Sequence, residues 1–379
     1  MPFEQAVAEV WLNQKIRVEE STLRSITHRY GQIAEAIEEE EAERIERELP
    51  ASPQRAEKVL VSVDGAFIHL TSGEWREVKT MVVGEIEIEE QGEKEEKQVK
   101  TRDISYFSHS CRIREFERLA LAELQRRGVF KAEEVVTVND GAEWTQSFAD
   151  YHFPQATRIL DFRHATDYLV AAGQAALGEG TAPFKTWLEQ MTHQLKHDPP
   201  QQTLDAMRQL PTASLSAASL DIIDQAYHYL DKRKTMINYA HFRERGLPIG
   251  SGSVESSHKV VVHSRLKQAG MRWAQQHVDP MLALRNLICN DRWSQGWSQI
   301  ISYYWQQRHQ EFRELAQRQR PHLAPIPSQQ VAFKPRPMTT PAPASEPLPE
   351  PTPKQEQPHR PAPNHPWRRG VWPSRVTCY

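Results

Sequence analysis

The 379-residue chain is poor in cysteine, lacks a long apolar run and carries almost no net charge, and each shortage narrows what it can be. Its three cysteines, Cys111, Cys289 and Cys378, lie far apart and form no CxxC pair. That argues against a disulfide framework and against a zinc site built on paired cysteines. No uninterrupted apolar stretch approaches the ~20 residues of a membrane span, and the N-terminus lacks a signal-peptide pattern. The sequence therefore predicts a cytoplasmic protein with no membrane partner. A net charge of −3 argues against a nucleic-acid binder only as an average. Acidic residues crowd Glu35–Glu48 and Glu85–Glu96. Between Lys232 and Arg272, by contrast, stand Lys232, Arg233, Lys234, Arg243, Arg245, Lys259, Arg265, Lys267 and Arg272, against only Glu244 and Glu255. A phosphate backbone is the natural partner of such a patch.

With 39% apolar and 26% charged residues, the chain has enough of both for a globular protein with a sizeable core and polar extensions. Residues 1–57 read as helical. Ala6, Val7, Val10, Trp11 and Leu12 form one stripe, and a second helix runs from Glu19 through Ile26 and Tyr30. Around a turn near Asn13–Val18 this resembles the tail of a helix-turn-helix unit, with Ser21, Arg24, Ser25 and Arg29 toward DNA; a plain helical hairpin is the alternative. The Glu-rich run to Leu49 reads as a solvated connector ended by Pro50–Pro53.

Lys58–Val63 is almost continuously apolar, as in a strand covered on both faces, and is predicted to stop at Asp64-Gly65. Ala66–Leu70 and Glu77–Val83 alternate like two antiparallel strands, and Glu85–Lys100 reads as an exposed hairpin or loop. A helix at Arg112–Arg127 precedes a second buried strand, Glu134–Val138, which ends in Asn139-Asp140-Gly141. A third strand, Ala156–Leu160, ends in Asp161 before a helix over His164–Leu177. Three strands thus each deliver an aspartate at the edge where open α/β sheets bind ligands. Residues 179–246 carry only helical patterns, an insertion into a core spanning 58–178 and 247–318. From 319 the chain is proline-rich and reads as a disordered tail.

The stretch Leu247–Lys259, LPIGSGSVESSHK, breaks the chain with glycine and serine and then opens a helix that Ser251 or Ser253 can cap. Glu255 falls in its first turn, and His258 and Lys259 follow three and four residues later, so all three can share a face. An ordinary capped surface helix is the competing reading. Asp64, Asp140 and Glu255 form an acidic triad suited to two Mg²⁺ or Mn²⁺ ions, which prefer hard oxygen ligands and serve phosphodiester chemistry.

The patterns SVDGAFIHL, VNDGAEW, DFRHATDYL, GSGSVESSHK and RLKQAGMRW, in this order, resemble those of bacterial insertion-sequence transposases of the ISKra type. More broadly they resemble DDE transposases with a ribonuclease H-like core, over about Val59 to Trp293. The resemblance implies an α/β fold with a mixed sheet flanked by helices, interrupted by an all-helical insertion before the catalytic glutamate. It makes Asp64, Asp140 and Glu255 the catalytic and metal-binding acids. Asp161 and His164 match a D-x-x-H motif that could support catalysis, and His258 lies close by in sequence. Lys259, Arg265, Lys267 and Arg272, with Arg24 and Arg29, are the expected contacts to double-stranded DNA, both terminal inverted repeats and target, in a homo-oligomer associated with the nucleoid. Trp273 could stack on a flipped base or fill core, and core is the expectation for Trp144. Members of the family carry a longer N-terminal region, so a truncated copy acting only as a DNA-binding regulator is one alternative. A stand-alone nuclease on the same core is another.

Overall fold

The computed structural model describes residues 2–52, 57–89, 98–213 and 215–318. The predicted tail from 319, with Trp367-Arg368-Arg369, and the tip of the acidic run at 90–97 lie outside the described residues. Two helices, α1 (Phe3–Gln14) and α2 (Glu20–Glu48), precede the hairpin strands β1 (Lys58–His69), β2 (Trp75–Glu89) and β3 (Gln98–His109). Then follow α3 (Ile113–Arg126), β4 (Glu134–Asn139), α4 (Glu143–His152), β5 (Thr157–Leu160) and α5 (Phe162–Leu177). Next come α6 (Ala182–His197), α7 (Pro200–Arg208), α8 (Ala217–Lys232) and α9 (Tyr239–Glu244). Last are α10 (Gly252–Ser257), α11 (Ser264–Leu266), α12 (Val278–Cys289) and α13 (Trp293–Arg318). The five strands make one open mixed sheet in the order β3-β2-β1-β4-β5, antiparallel from β3 to β1 and parallel from β1 to β5.

β1 explains the architecture. Successive side chains of a strand point to opposite faces, so an unbroken apolar run requires cover on both. Val59, Val61 and Val63 pack against Phe116, Leu119 and Phe148 from α3 and α4. Leu60 joins Val138, Ile159 and Leu169, and this second core extends without interruption through Leu195, Leu204 and Tyr239 of the helical segment. The segment at 179–246 therefore shares the core of one sheet face. β1 does not stop at Asp64-Gly65 as predicted: Asp64 pairs with Thr80 and Gly65 with Lys79, and the strand continues to His69. An Asp-Gly step signals a turn by local propensity, and here cross-strand pairing overrides it. Past that step Ala66, Ile68 and Leu70 bury a third cluster against Val261, Val262 and Leu282.

The acidic helix is not a solvated connector. α2 is one continuous helix whose Gly31, Ile33, Ala34, Ala42 and Ile45 are buried, and it packs on α12, α3 and α13. The glutamates outnumber these residues, yet helical spacing collects the apolar ones on one stripe. α12 in turn covers the edge strand β3. Asn290 accepts the Tyr106 N–H at 2.8 Å and donates to the Tyr106 carbonyl at 2.7 Å. Asn286 does the same at Ser108, at 3.0 and 3.2 Å. Two amides one helical turn apart thus satisfy alternate residues of an edge that would otherwise be open to another strand.

Asn286 also donates to Glu38 Oε1 at 2.9 Å, and Glu38 is half-buried, with Oε2 enclosed and without a hydrogen-bond partner. Burial pushes its carboxyl up to about 8 against the lowering effect of that bond. A folded value above the unfolded one means that stability is full below pH ~4.5 and is lost as pH rises through about 8. Urea unfolding should show the wild type losing on the order of 2–4 kcal/mol between pH 5 and pH 9 relative to Glu38→Gln, whose curve lacks this slope.

Candidate active site

The parallel register of β1 and β4 runs from Lys58↔Glu134 to Val61↔Thr137. Counting three residues on along both chains brings Asp64 level with Asp140, where β4 has just ended. Two side-chain bonds hold that junction: Ser62 Oγ donates to the Val138 carbonyl, and Val63 N–H donates to Asn139 Oδ1 at 2.8 Å. Asp64 Oδ1 accepts the Gly65 N–H at 2.7 Å. Asp140 Oδ1 accepts the Ala142 N–H at 2.9 Å and lies 3.5 Å from Thr145 Oγ1, while Oδ2 takes part in neither contact. Both carboxylates are partly exposed, and carboxylate oxygens are the hard donors that Mg²⁺ and Mn²⁺ prefer.

The helix that carries Glu255, α10, packs against β1 and β2 beside Asp64. The Glu255 side chain itself lies outside the described residues. Ser251 precedes the helix but makes no hydroxyl cap. Its N–H is instead bound by Asp161 Oδ2 at 2.5 Å, so the chain break is anchored to the end of β5. The helix then becomes a π-helical stretch, His258–His263. A π segment rotates the following side chains relative to α-helical spacing. His258 turns inward, 6% exposed, with Nδ1 3.6 Å from Asp64 Oδ2. Lys259 is exposed, so of the three residues predicted to share a face, His258 and Lys259 point to different environments.

Asp161 is 2% exposed, and its other oxygen caps α5 by accepting the His164 N–H at 2.9 Å. Asp161 and His164 are thus joined through backbone, and Asp161 holds two segments together. Sequence reasoning missed the groups that brace the second acid. Tyr229 of α8 donates to the Asp140 carbonyl at 2.8 Å, and Arg233 donates to the Gly141 carbonyl at 2.8 Å. Arg233 lies 3.7 Å over the Tyr229 ring, which stacks on Tyr168 at 3.8 Å. Burial pushes the Tyr229 hydroxyl well up, which keeps it a donor. Nothing near Asp140 in sequence signals these residues, because they arrive from more than eighty positions away.

Gly141 has φ +78°, and a Cβ there would come within 2.5 Å of Tyr229 Oη. Gly141→Ala should therefore cost about 1–3 kcal/mol in chemical unfolding, from left-handed backbone strain and crowding of the brace. An unchanged midpoint would show that the brace gives way freely.

The basic residues divide. Arg233 is spent on the brace, Arg245 pairs with Glu134, and Arg243 bonds His197 Nδ1 at 3.0 Å. Arg265 and Arg272 instead line one cleft of about 420 Å³ together with Arg24, His28, Phe3 and Trp273. Arg265 lies 4.8 Å from the Phe3 ring and 5.0 Å from the Trp273 ring. Burial, then the nearby Arg285 and Arg24 charges, lower its guanidinium. Trp273 is 9% exposed and donates to the Leu266 carbonyl at 3.1 Å, so core and cation contact share its ring. Trp144 sits against Phe116 in the core of the other face. Lys267 and Arg29 are exposed outside the cleft, and Arg24 also pairs with Glu20.

No described helix is long and apolar enough to cross a membrane. In comparison with known proteins, no family model matches the chain, and no curated protein matches it.

Proposed function

We propose that this chain is a DDE transposase of the ISKra type, built on a ribonuclease H-like core, that cleaves the ends of an insertion sequence and joins them to target DNA. The observation that supports the reading is the β1–β4 register, which, carried three residues past Val61↔Thr137, brings Asp64 level with Asp140, and the Glu255 helix packs on β1. The β3-β2-β1-β4-β5 order, a hairpin triplet followed by two parallel strands, supports a ribonuclease H-like sheet. Asp64, Asp140 and Glu255 would hold two Mg²⁺ or Mn²⁺ ions, which supply positive charge to both the attacking and the leaving oxygen of a phosphodiester. The chain's own part is positioning. Tyr229 and Arg233 fix the backbone of Asp140, His258 orients Asp64, and Asp161 ties the Glu255 segment to the sheet. Arg24, Arg265 and Arg272 offer phosphate contacts from one cleft, and the exposed Lys259, Lys267 and Arg29 add sequence-independent attraction. Two chains would bring two ends together.

The test is cleavage of DNA carrying the element's own terminal inverted repeats, with Mg²⁺ or Mn²⁺, comparing wild type with Glu255→Gln. Metal-dependent nicking at the repeat boundary, lost in the variant, supports the proposal. Cutting of branched DNA without preference for the repeats points to a stand-alone nuclease, and repeat binding without cutting points to a regulator.

A further inference from the structure

We propose that Glu35, His109 and Asp279 form a second, separate binding site for a divalent transition-metal ion of the Zn²⁺ class. One ligand atom from each of the three lies within 4.8 Å of the others. They come from three elements: Glu35 from α2, His109 from the last position of β3, and Asp279 from the first turn of α12. Strand pairing sets His109 opposite Lys79, and Lys79 opposite Gly65. The site is therefore two strand spacings, ~10 Å, from the catalytic edge.

The acidic residues alone would be a solvated cluster; the imidazole makes it a site. His109 is 6% exposed, and its Nε2 has no hydrogen-bond partner. Glu35 Oε1 lies 3.9 Å away, too far for a hydrogen bond. Buried imidazole nitrogens normally find partners, because water has been removed and nothing replaces it. At the other nitrogen, Nδ1 stands between the Cys111 N–H at 3.1 Å and Asp279 Oδ1 at 3.2 Å. The tautomer decides between them. With the proton on Nε2, Nδ1 accepts from Cys111. With the proton on Nδ1, it is donated to Asp279, and the Nε2 lone pair faces Glu35. In the second arrangement Asp279 orients the ring, as carboxylates do behind metal-bound imidazoles, and His109 Nε2 and Glu35 Oε1 are the donors that face the ion.

Asp279 is itself held in place, accepting the Ser110 N–H and hydroxyl at 2.7 Å each. Glu39 and Glu115 add negative potential at His109, and Lys79 opposes them. The Glu35 and Asp279 side chains are 26% and 18% exposed, which leaves an ion a way in. One imidazole with carboxylates suits Zn²⁺ and its neighbours, whereas Mg²⁺ prefers oxygen alone. Bound there, the ion would pin α2 and α12 to the end of the edge strand.

The inference does not depend on the transposase reading, and its test keeps the two apart. The full chain carrying Asp64→Asn and Asp140→Asn is titrated with Co²⁺ as a spectroscopic stand-in for Zn²⁺. One Co²⁺ per chain should bind with visible d–d absorption that Zn²⁺ displaces, and Zn²⁺ should raise Tm. Adding Glu35→Gln or His109→Gln should weaken Co²⁺ by at least about tenfold and abolish the Zn²⁺ shift in Tm. His109 is buried and its variant could unfold, so the partly exposed Glu35→Gln decides the matter with circular dichroism as a folding check. Absence of Co²⁺ binding to the parent, or binding and a Tm shift unchanged by Glu35→Gln, would overturn the site.

Discussion

Asp64→Asn and Asp140→Asn should each lower metal-dependent cleavage of terminal-repeat DNA by about a thousandfold or more, equivalent to roughly 4 kcal/mol of transition-state stabilisation. Asparagine keeps the shape of the side chain and one oxygen. Asp64 Oδ1 accepts the Gly65 N–H and Asp140 Oδ1 accepts the Ala142 N–H, and an amide oxygen can serve both. What is lost is the negative charge, which a metal needs and a hydrogen bond to a backbone amide needs far less. Folding should survive, and DNA affinity should stay within about threefold, because the proposed phosphate contacts are made by the basic residues. The measurements are nicking rates and repeat binding on the same preparations. A matching fall in Tm or in binding would make these acids structural.

The largest expected stability change lies elsewhere. Glu123 of α3 is 3% exposed and receives both Arg292 nitrogens, at 2.5 and 2.8 Å, with Arg126 at 2.6 Å. Burial alone would raise its carboxyl, but the Arg292 and Arg126 charges outweigh burial and hold it below the usual range. Removing one partner of such a pair leaves a buried charge without compensation, at about 3–5 kcal/mol. Arg292→Leu should come at the lower end of that range, since Arg126 remains. Adding Glu123→Leu should recover most of the loss, because a hydrophobic replacement of the whole pair is often neutral. Urea unfolding of both single variants and the double variant checks this. Independent, additive losses would mean that the pair is not coupled.

Particular residues show how far sequence reading reaches. The buried strands at 58–63 and 134–138 are legible because a short, continuous apolar run needs cover on both faces, which a central strand of a layered α/β fold receives. The aspartates after 139 and 160 are legible because strand ends in an open sheet are where side chains become available. α2 misleads because its glutamates are conspicuous and its helical period is not. The continuation of β1 is hidden because Asp-Gly favours turns locally, and only the facing β2 makes it strand. Asn286 and Asn290 carry no signal, since a polar pair on a helix is ordinary until an edge strand lies against it.

The sequence by itself determined the α/β alternation, the two-sided burial of β1 and the identity of the candidate acids, since these follow from periodicity, propensity and side-chain chemistry. The tertiary structure alone decided which groups meet. Register, carried three residues on, brought Asp64 level with Asp140, the α8 brace reached Asp140 from a distant segment, and packing buried His258 while leaving Lys259 exposed. It also gathered Glu35, His109 and Asp279 from three elements. Such meetings depend on long-range packing, whose free energy belongs to the folded whole and to no local stretch of chain.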